Sequence, residues 1–197
     1  MAKKLGFALG AGGSRGVAHI GFLIAMEEAG IRPDYIAGTS MGSVVGACYA
    51  KGYTPHQMED IVKKIKFTDI LDISLNPFGS SALMRSEKMR NKLRQYLGTI
   101  RFEDLKLPFR CVATDIVNGT SKVFGDDGHD KVYTAVAASS TIPSIFRPVQ
   151  IHGVPYVDGG VLCRVPIKTV RDMGADVVVA VDVLGKVRIC DKKYNML

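Results

Sequence analysis

Short apolar runs alternate with amphipathic stretches along most of the chain. Residues 5–10 are continuously apolar and of strand length. From 17 to 29 the pattern turns helical: Ile20, Leu23 and Ile24 recur at helical spacing, Glu27 and Glu28 mark a polar face, and Gly30 stops it. Residues 35–38 read as a second strand. A helix follows from 43 to about 51 and ends at Gly52. Thr54-Pro55 opens another, an N-cap residue before a proline at the first helical position, with Met58, Ile61, Val62 and Ile65 on one face. Residues 67–83 are irregular, broken by Asn76-Pro77 and Gly79-Ser80-Ser81. Helical spacing returns over 86–97, where Met89, Leu93, Tyr96 and Leu97 form a stripe among Arg85, Lys88, Arg90, Lys92 and Arg94.

The second half continues the alternation. A strand is predicted over 109–116, a turn at Asn118-Gly119, a return over 121–124 and a helix over 130–139. Pro143 and Pro148 bracket an irregular loop. Residues 149–151 and 154–157 flank His152-Gly153 as a hairpin, and Asp158-Gly159-Gly160 follows. A helix over 167–173 stops at Gly174. The valine-rich run 177–183 has the pattern of a strand buried on both faces. Strands alternating with helices predict a three-layer α/β/α fold around a mainly parallel sheet. The 197 residues suit a single domain with its core over about 5–183; residues 185–197 are polar and without pattern. There is no internal repeat or low-complexity linker, and nothing in the pattern specifies an oligomeric state.

Composition narrows the picture modestly. With 47% apolar and 23% charged residues the chain can bury a sizeable core. No apolar run reaches the eighteen or so residues of a membrane span. Lys3-Lys4 before the first apolar run is reminiscent of a signal peptide, but that run is short and enters glycines, so it is read as a strand. Cys48, Cys111, Cys163 and Cys190 lack metal-ligand spacing and read as reduced thiols of a cytoplasmic protein. The net charge of +7 suits an anionic partner. Without tryptophan or aromatics interleaved with basic residues, nucleic acid is not expected. The basic amphipathic stretch over 86–97 can lie peripherally on an anionic membrane, although a charged face over a core stripe is the commoner use of such a pattern.

Candidate chemistry centres on Gly38-Thr39-Ser40-Met41-Gly42. A strand before it and a helix after it are the context of a G-x-S-x-G nucleophile elbow. The chain reverses too sharply there for Cβ atoms beside the central residue. The competing reading is a glycine-rich turn whose serine caps the helix. A nucleophilic hydroxyl also needs oxyanion donors and a base. Gly10-Ala11-Gly12-Gly13-Ser14-Arg15-Gly16 follows the first strand, so its N–H groups converge on the same edge of the sheet. Gly12 and Gly13 let the backbone approach a tetrahedral intermediate, and Arg15 adds positive charge. The loop also approximates a dinucleotide fingerprint, but the end of the second strand, where that fingerprint needs an acid, is Gly38-Thr39-Ser40.

The residues alone leave the base open. The order Ser, Asp, His fails for Asp158, because no histidine follows it. A triad through Asp115 or Asp126 with His129 or His152 has no motif around either histidine. His19 reads as a packed or hydrogen-bonded residue. Asp158, between a strand-like run and two glycines, sits where a side chain is exposed on a tight loop, or where a plain turn falls.

Three motifs in order, Gly12-Gly13-Ser14-Arg15-Gly16, Gly38-Thr39-Ser40-Met41-Gly42 and Asp158-Gly159-Gly160, resemble the patatin-like phospholipase family. The likeness extends over about 5–183 and includes residues 16–21, Ala113-Thr114-Asp115, residues 138–143 and Phe146-Arg147-Pro148; Ala11 stands where many members carry a third glycine. It implies a mechanism without histidine, metal or cofactor. Ser40 would attack an ester carbonyl and Asp158 would accept its proton, while Gly12, Gly13, Ser14 and Arg15 would hold the oxyanion. The implied substrates are lipid acyl esters: phospholipids, lysophospholipids or glycerides. Residues 67–83 and 85–94 are then candidates for a lid and a membrane-facing rim. The alternatives are a soluble thioesterase or carboxylesterase with the same dyad, a Ser-His-Asp hydrolase, and a non-catalytic nucleotide-binding protein.

Overall fold

Strand β1 (Leu5–Leu9) separates two kinds of side chain. Phe7 and Leu9 point to one face, where Ile36, Phe109, Cys111 and Ala113 of the neighbouring strands join them in the larger core. Gly6 and Ala8 point to the other, beside Ala37. This division decides how helices pack. Small residues on the second face let a helix lie almost on the sheet: a Cβ on Gly6 would collide with Val170 of that helix. The large residues on the first face support a thicker helical layer.

The computed structural model describes residues 3–65, 87–127 and 129–185. Among these, β1, β2 (Tyr35–Thr39), β3 (Phe109–Asp115) and β7 (Val177–Val181) form a parallel centre in the order β3-β2-β1-β7. Beyond it the sheet turns antiparallel. β4 (Thr120–Phe124) pairs with one edge of β3, and β6 (Val154–Asp158) takes part of the other, carrying β5 (Val149–Ile151) outside it. The sheet is therefore mixed, its parallel strands confined to the centre.

Five helices contribute to the larger core: α1 (Ala18–Glu28), α2 (Met41–Lys51), α3 (Pro55–Lys64), α4 (Glu87–Leu97) and α5 (Val132–Ser139). The short α6 (Ile167–Asp172) supplies Val170 to the opposite face. The expected three layers are present but unequal. Local signals set several ends. Thr54 and Gln57 form a reciprocal capping box at the start of α3. Gly52 ends α2 with φ 109°, a left-handed conformation that glycine adopts without Cβ strain.

One expectation changes, and one pattern takes its commoner use. Residues 177–183 do not form a strand buried on both faces. β7 pairs with β1 alone at the margin of the described sheet, leaving Val177 and Ala180 exposed and Val178, Val179 and Val181 half-buried. Continuous hydrophobicity here marks β propensity and partial cover, not a central position. In α4, Met89, Leu93 and Leu97 are buried in the core. The helix therefore keeps its apolar stripe inside and turns its charged side outward. The suggested lid at 67–83, together with Arg85 and Cys190, lies outside the described residues.

Candidate active site

Ser40 ends up between β2 and α2 with φ 55° and ψ −127°, a conformation rare for a residue with a Cβ. The surroundings impose it. A Cβ on Gly38 would meet the backbone of Gly42, and one on Gly42 would meet the carbonyls of Leu9 and Gly10. Both flanking positions are thus reserved for glycine by close backbone approach, while the unusual dihedrals fall on the serine. The Ser40 carbonyl accepts the N–H groups of Ser43 (2.8 Å) and Val44 (3.2 Å), starting the helix. Its side chain makes no cap to α2. The hydroxyl instead donates to Asp158 Oδ2 at 2.6 Å.

The sheet brings these two residues together from 118 positions apart. β2 runs parallel to β3 and ends with Thr39 opposite Val112. β6 runs antiparallel to β3 and ends with Asp158 opposite Ala113, the next residue. The two strands run toward each other along one edge of β3 and stop at adjacent register positions. Gly159 makes the meeting possible, since a Cβ there would strike the Val112 carbonyl and lie 3.1 Å from Thr39.

Asp158 is held at every polar atom. Its N–H donates to the Thr141 carbonyl (2.8 Å), and its own carbonyl accepts the Thr114 hydroxyl (3.0 Å). Oδ1 accepts Gly160 N–H at 2.7 Å and Oδ2 accepts Ser40. Ser40 and Asp158 are both buried, at 5% and 7% exposure. Burial pushes the Asp158 carboxyl above its ordinary range, against the hydrogen bonds from Ser40 and Gly160. An aspartate so placed binds a proton more readily than one in water.

The glycine-rich loop closes a third side. Gly10 N–H donates to Val181 and Ala11 N–H to Arg164, fixing the end of β1. The chain then passes through Gly12 into a 3₁₀ turn, Gly13–Val17, in which Gly13 has φ 51°. Gly16 packs too tightly against Met41 to carry a Cβ, and Ala11 lies beside Gly160. The loop therefore touches both the elbow and the Asp-Gly-Gly turn. Arg15 N–H is committed to the Gly12 carbonyl (3.0 Å), so only its exposed guanidinium is free of the turn's own bonding. The amides of Gly13 and Ser14 open the turn, where a helical segment has no carbonyl of its own for them.

Among the described residues no histidine is hydrogen-bonded to Ser40. His152 pairs with Asp130 at 2.9 Å, and His129 is exposed. Asp115 receives Val117, Asn118 and the Asn118 side chain at the β3–β4 turn, and Asp126 pairs with Arg110. His19 is fully buried, its Nε2 donating to the Gly10 carbonyl at 2.8 Å. A carbonyl only accepts, so the ring carries its proton on Nε2. Among the described residues no cluster of His, Cys, Asp or Glu could hold a metal, and no helix is long and apolar enough to cross a membrane.

One contributor escapes motif reading. Ser139 at the end of α5 accepts the Ser40 N–H (3.0 Å) and donates to the Val112 carbonyl (2.6 Å). It tethers the elbow to the strand on which the two halves of the site meet. Residues 138–143 stood out as a stretch, but nothing local distinguished Ser139 from Ser140.

The fold is that of an α/β protein in which a serine on a strained strand-to-helix turn is bonded to a buried aspartate beside a glycine-rich loop. The chain belongs to the patatin-like phospholipase family, whose family model matches residues 7–171. It is 34% identical over 182 residues to an uncharacterised NTE family protein of Mycobacterium tuberculosis, covering 92% of this chain and 49% of that one. It is 32% identical over 188 residues to a lysophospholipase of the yeast Meyerozyma guilliermondii, covering 92% of this chain and 13% of the relative. The chain thus spans about half the length of the mycobacterial relative and a smaller part of the yeast one. In fold it is similar to VipD from Legionella pneumophila, with a TM-score of 0.61 and 15% identity over 81% of this chain and 46% of that one.

Proposed function

We propose that the protein is a serine acyl hydrolase acting on lipid acyl esters through a Ser40–Asp158 dyad. The observation that carries this reading is the 2.6 Å hydrogen bond from the Ser40 hydroxyl to a buried carboxylate. In the proposed reaction Ser40 Oγ attacks the ester carbonyl carbon as its proton passes to Asp158 Oδ2. The tetrahedral oxyanion is held by amides of the loop, Gly12, Gly13 and Ser14, with the Arg15 guanidinium adding positive charge. Asp158 returns the proton to the departing alcohol. Water then attacks the acyl carbon and loses a proton to Asp158, which passes it to the departing Ser40 Oγ as the acid is released.

An aspartate with its ordinary pKa of about 3.9 is a weak base at neutral pH. Burial supports the role by raising the carboxylate's proton affinity and strengthening its short hydrogen bond. The fixed backbone around Asp158 supports it too, since little reorganisation is needed during proton transfer. The lipid substrate class rests on family membership and on the yeast relative named as a lysophospholipase.

Fluorophosphonate labelling with intact-mass readout and peptide mapping tests the reading. The expected result is one adduct at Ser40, sharply reduced in Asp158→Asn and absent in Ser40→Ala. Ser40→Ala should lower esterase kcat/KM by about 10⁴-fold or more. Unlabelled, folded protein without esterase activity would overturn it.

A further inference from the structure

Exposed aliphatic side chains gather where the dyad opens. Of the eleven large hydrophobic residues exposed among the described ones, Val17, Ile142, Ile145, Val161 and Leu162 belong to the three loops that frame Ser40 and Asp158. Val17 follows Gly16, which abuts Met41 of the elbow. Ile142 follows Thr141, whose carbonyl holds Asp158, and Ile145 lies one turn on, bonded back to Ile142. Val161 and Leu162 follow Gly160, which donates to the Asp158 carboxylate. Their exposures run from 37% to 54%, where most other aliphatic side chains of the described residues are buried or half-buried. Ile31 and Val177, by contrast, stand near the starts of β2 and β7, at the opposite end of the parallel strands.

The segments around this rim are mostly basic. Residues 10–26, 40–58, 131–157 and 159–171 contain no aspartate or glutamate other than the intervening Asp158, while Asp115 ends β3 and Asp182 follows β7 at the same end of the parallel strands. Arg15 and Arg147 are exposed within those segments. Arg164 and Lys168 are also present, paired with Asp182 and Asp172. An apolar patch bordered by the exposed Arg15 and Arg147 matches a surface with anionic head groups over acyl chains. Helix α4 is less suited to insertion despite its basic residues, because its apolar stripe is occupied by the core.

We propose that Val17, Ile142, Ile145, Val161 and Leu162 form a docking surface for an anionic phospholipid bilayer, seating the mouth of the dyad in the interfacial layer. The inference rests on the lipid acyl-ester reading for its purpose, although docking and hydrolysis are separately measurable. The rim settles into the acyl boundary, Arg15 and Arg147 meet the phosphates, and an ester need move only a short distance to reach Ser40.

The chain contains no tryptophan, so a single introduced one reports its own surroundings. Leu162→Trp and Val177→Trp are made in the Ser40→Ala background to prevent turnover and mixed with phosphatidylcholine–phosphatidylglycerol vesicles. The expected result is a blue shift for Leu162→Trp and none for Val177→Trp. Ile145→Ser with Leu162→Ser should weaken vesicle co-sedimentation roughly tenfold or more. The same double variant should hydrolyse soluble p-nitrophenyl butyrate like the parent. A silent Leu162→Trp, or a double variant that sediments like the parent, overturns the proposal. Equal sedimentation with phosphatidylcholine alone overturns the anionic partner. A concentration-dependent dimer abolished by the double variant assigns the rim to a second copy instead. A blue shift with no hydrolysis of any ester leaves the docking surface standing and removes the hydrolase reading; hydrolysis with a silent rim does the reverse.

Discussion

Ser40 and Asp158 are joined by a 2.6 Å hydrogen bond because β2 and β6 approach head to head along β3 and end opposite Val112 and Ala113. The carboxylate is buried at that meeting point and its proton affinity is raised. The fold thus keeps a group that lowers its stability at neutral pH. For a carboxyl whose folded pKa lies above the unfolded one, the favourable contribution is complete below the unfolded pKa. It is lost as pH rises through the folded value. Asp158→Asn removes the buried charge and still offers an acceptor to Gly160 and a donor to Ser40. The expected outcome is an inactive protein with an unchanged or higher Tm, by about 2–4 °C for each kcal/mol gained. Thermal melts at neutral pH, beside esterase assays, check it.

The same shift fixes a pH dependence. Protonated Asp158 cannot accept the Ser40 proton, so kcat/KM should fall on the acid side with an apparent pKa above that of an ordinary aspartate. A profile on a soluble ester places that limb. A limb at or below the ordinary aspartate value would contradict the proposed role of Asp158 as base.

Ser139 should matter to both stability and turnover without touching substrate. Ser139→Ala leaves the Ser40 N–H and the Val112 carbonyl without their shared partner in a buried setting. A cost of ~1–3 kcal/mol is expected. Freed from its tether, Ser40 should show a larger change in kcat than in KM. Ser139→Thr, which retains the hydroxyl, should recover part of kcat if its extra methyl is accommodated. Denaturant melts and steady-state kinetics separate the two effects.

Glycines of the site should differ in tolerance for reasons visible in their surroundings. Gly159→Ala sets a methyl against the Val112 carbonyl, backbone that cannot yield, and should cost ~3 kcal/mol or more. Gly13→Ala meets open space and bears only the strain of φ 51°, so roughly 1 kcal/mol is expected. Comparing the denaturation midpoints of the two variants tests the ranking.

His19 should make acid destabilise the fold. Burial lowers its pKa below the ordinary 6.5, despite opposing effects of the Gly10 carbonyl and Asp182. The unfolded chain then binds a proton more readily than the native one. Stability is complete above about pH 6.5 and declines as pH falls toward the depressed value, by at most ~1.4 kcal/mol per pH unit for one proton. His19→Gln should lose this part of the slope. Unfolding curves across that range measure it.

Features of this protein that depend on neighbours in the chain are legible in the residue pattern alone. Helical spacing marked the core stripe of α4, Thr54-Pro55 the start of α3, His152-Gly153 the β5–β6 turn, and Gly38 with Gly42 the elbow at Ser40. These are local steric and capping effects, written within a few residues. The resemblance to a family singled out Asp158; spacing alone left Asp115, Asp126 and several histidines in contention. Tertiary structure decided which carboxylate reaches Ser40, because that depends on where two distant strands stop along a third. It also assigned Ser139 to the tether and gave β7 a half-exposed place at the sheet margin. Each of these follows from long-range register and burial, which the chain carries only as a whole.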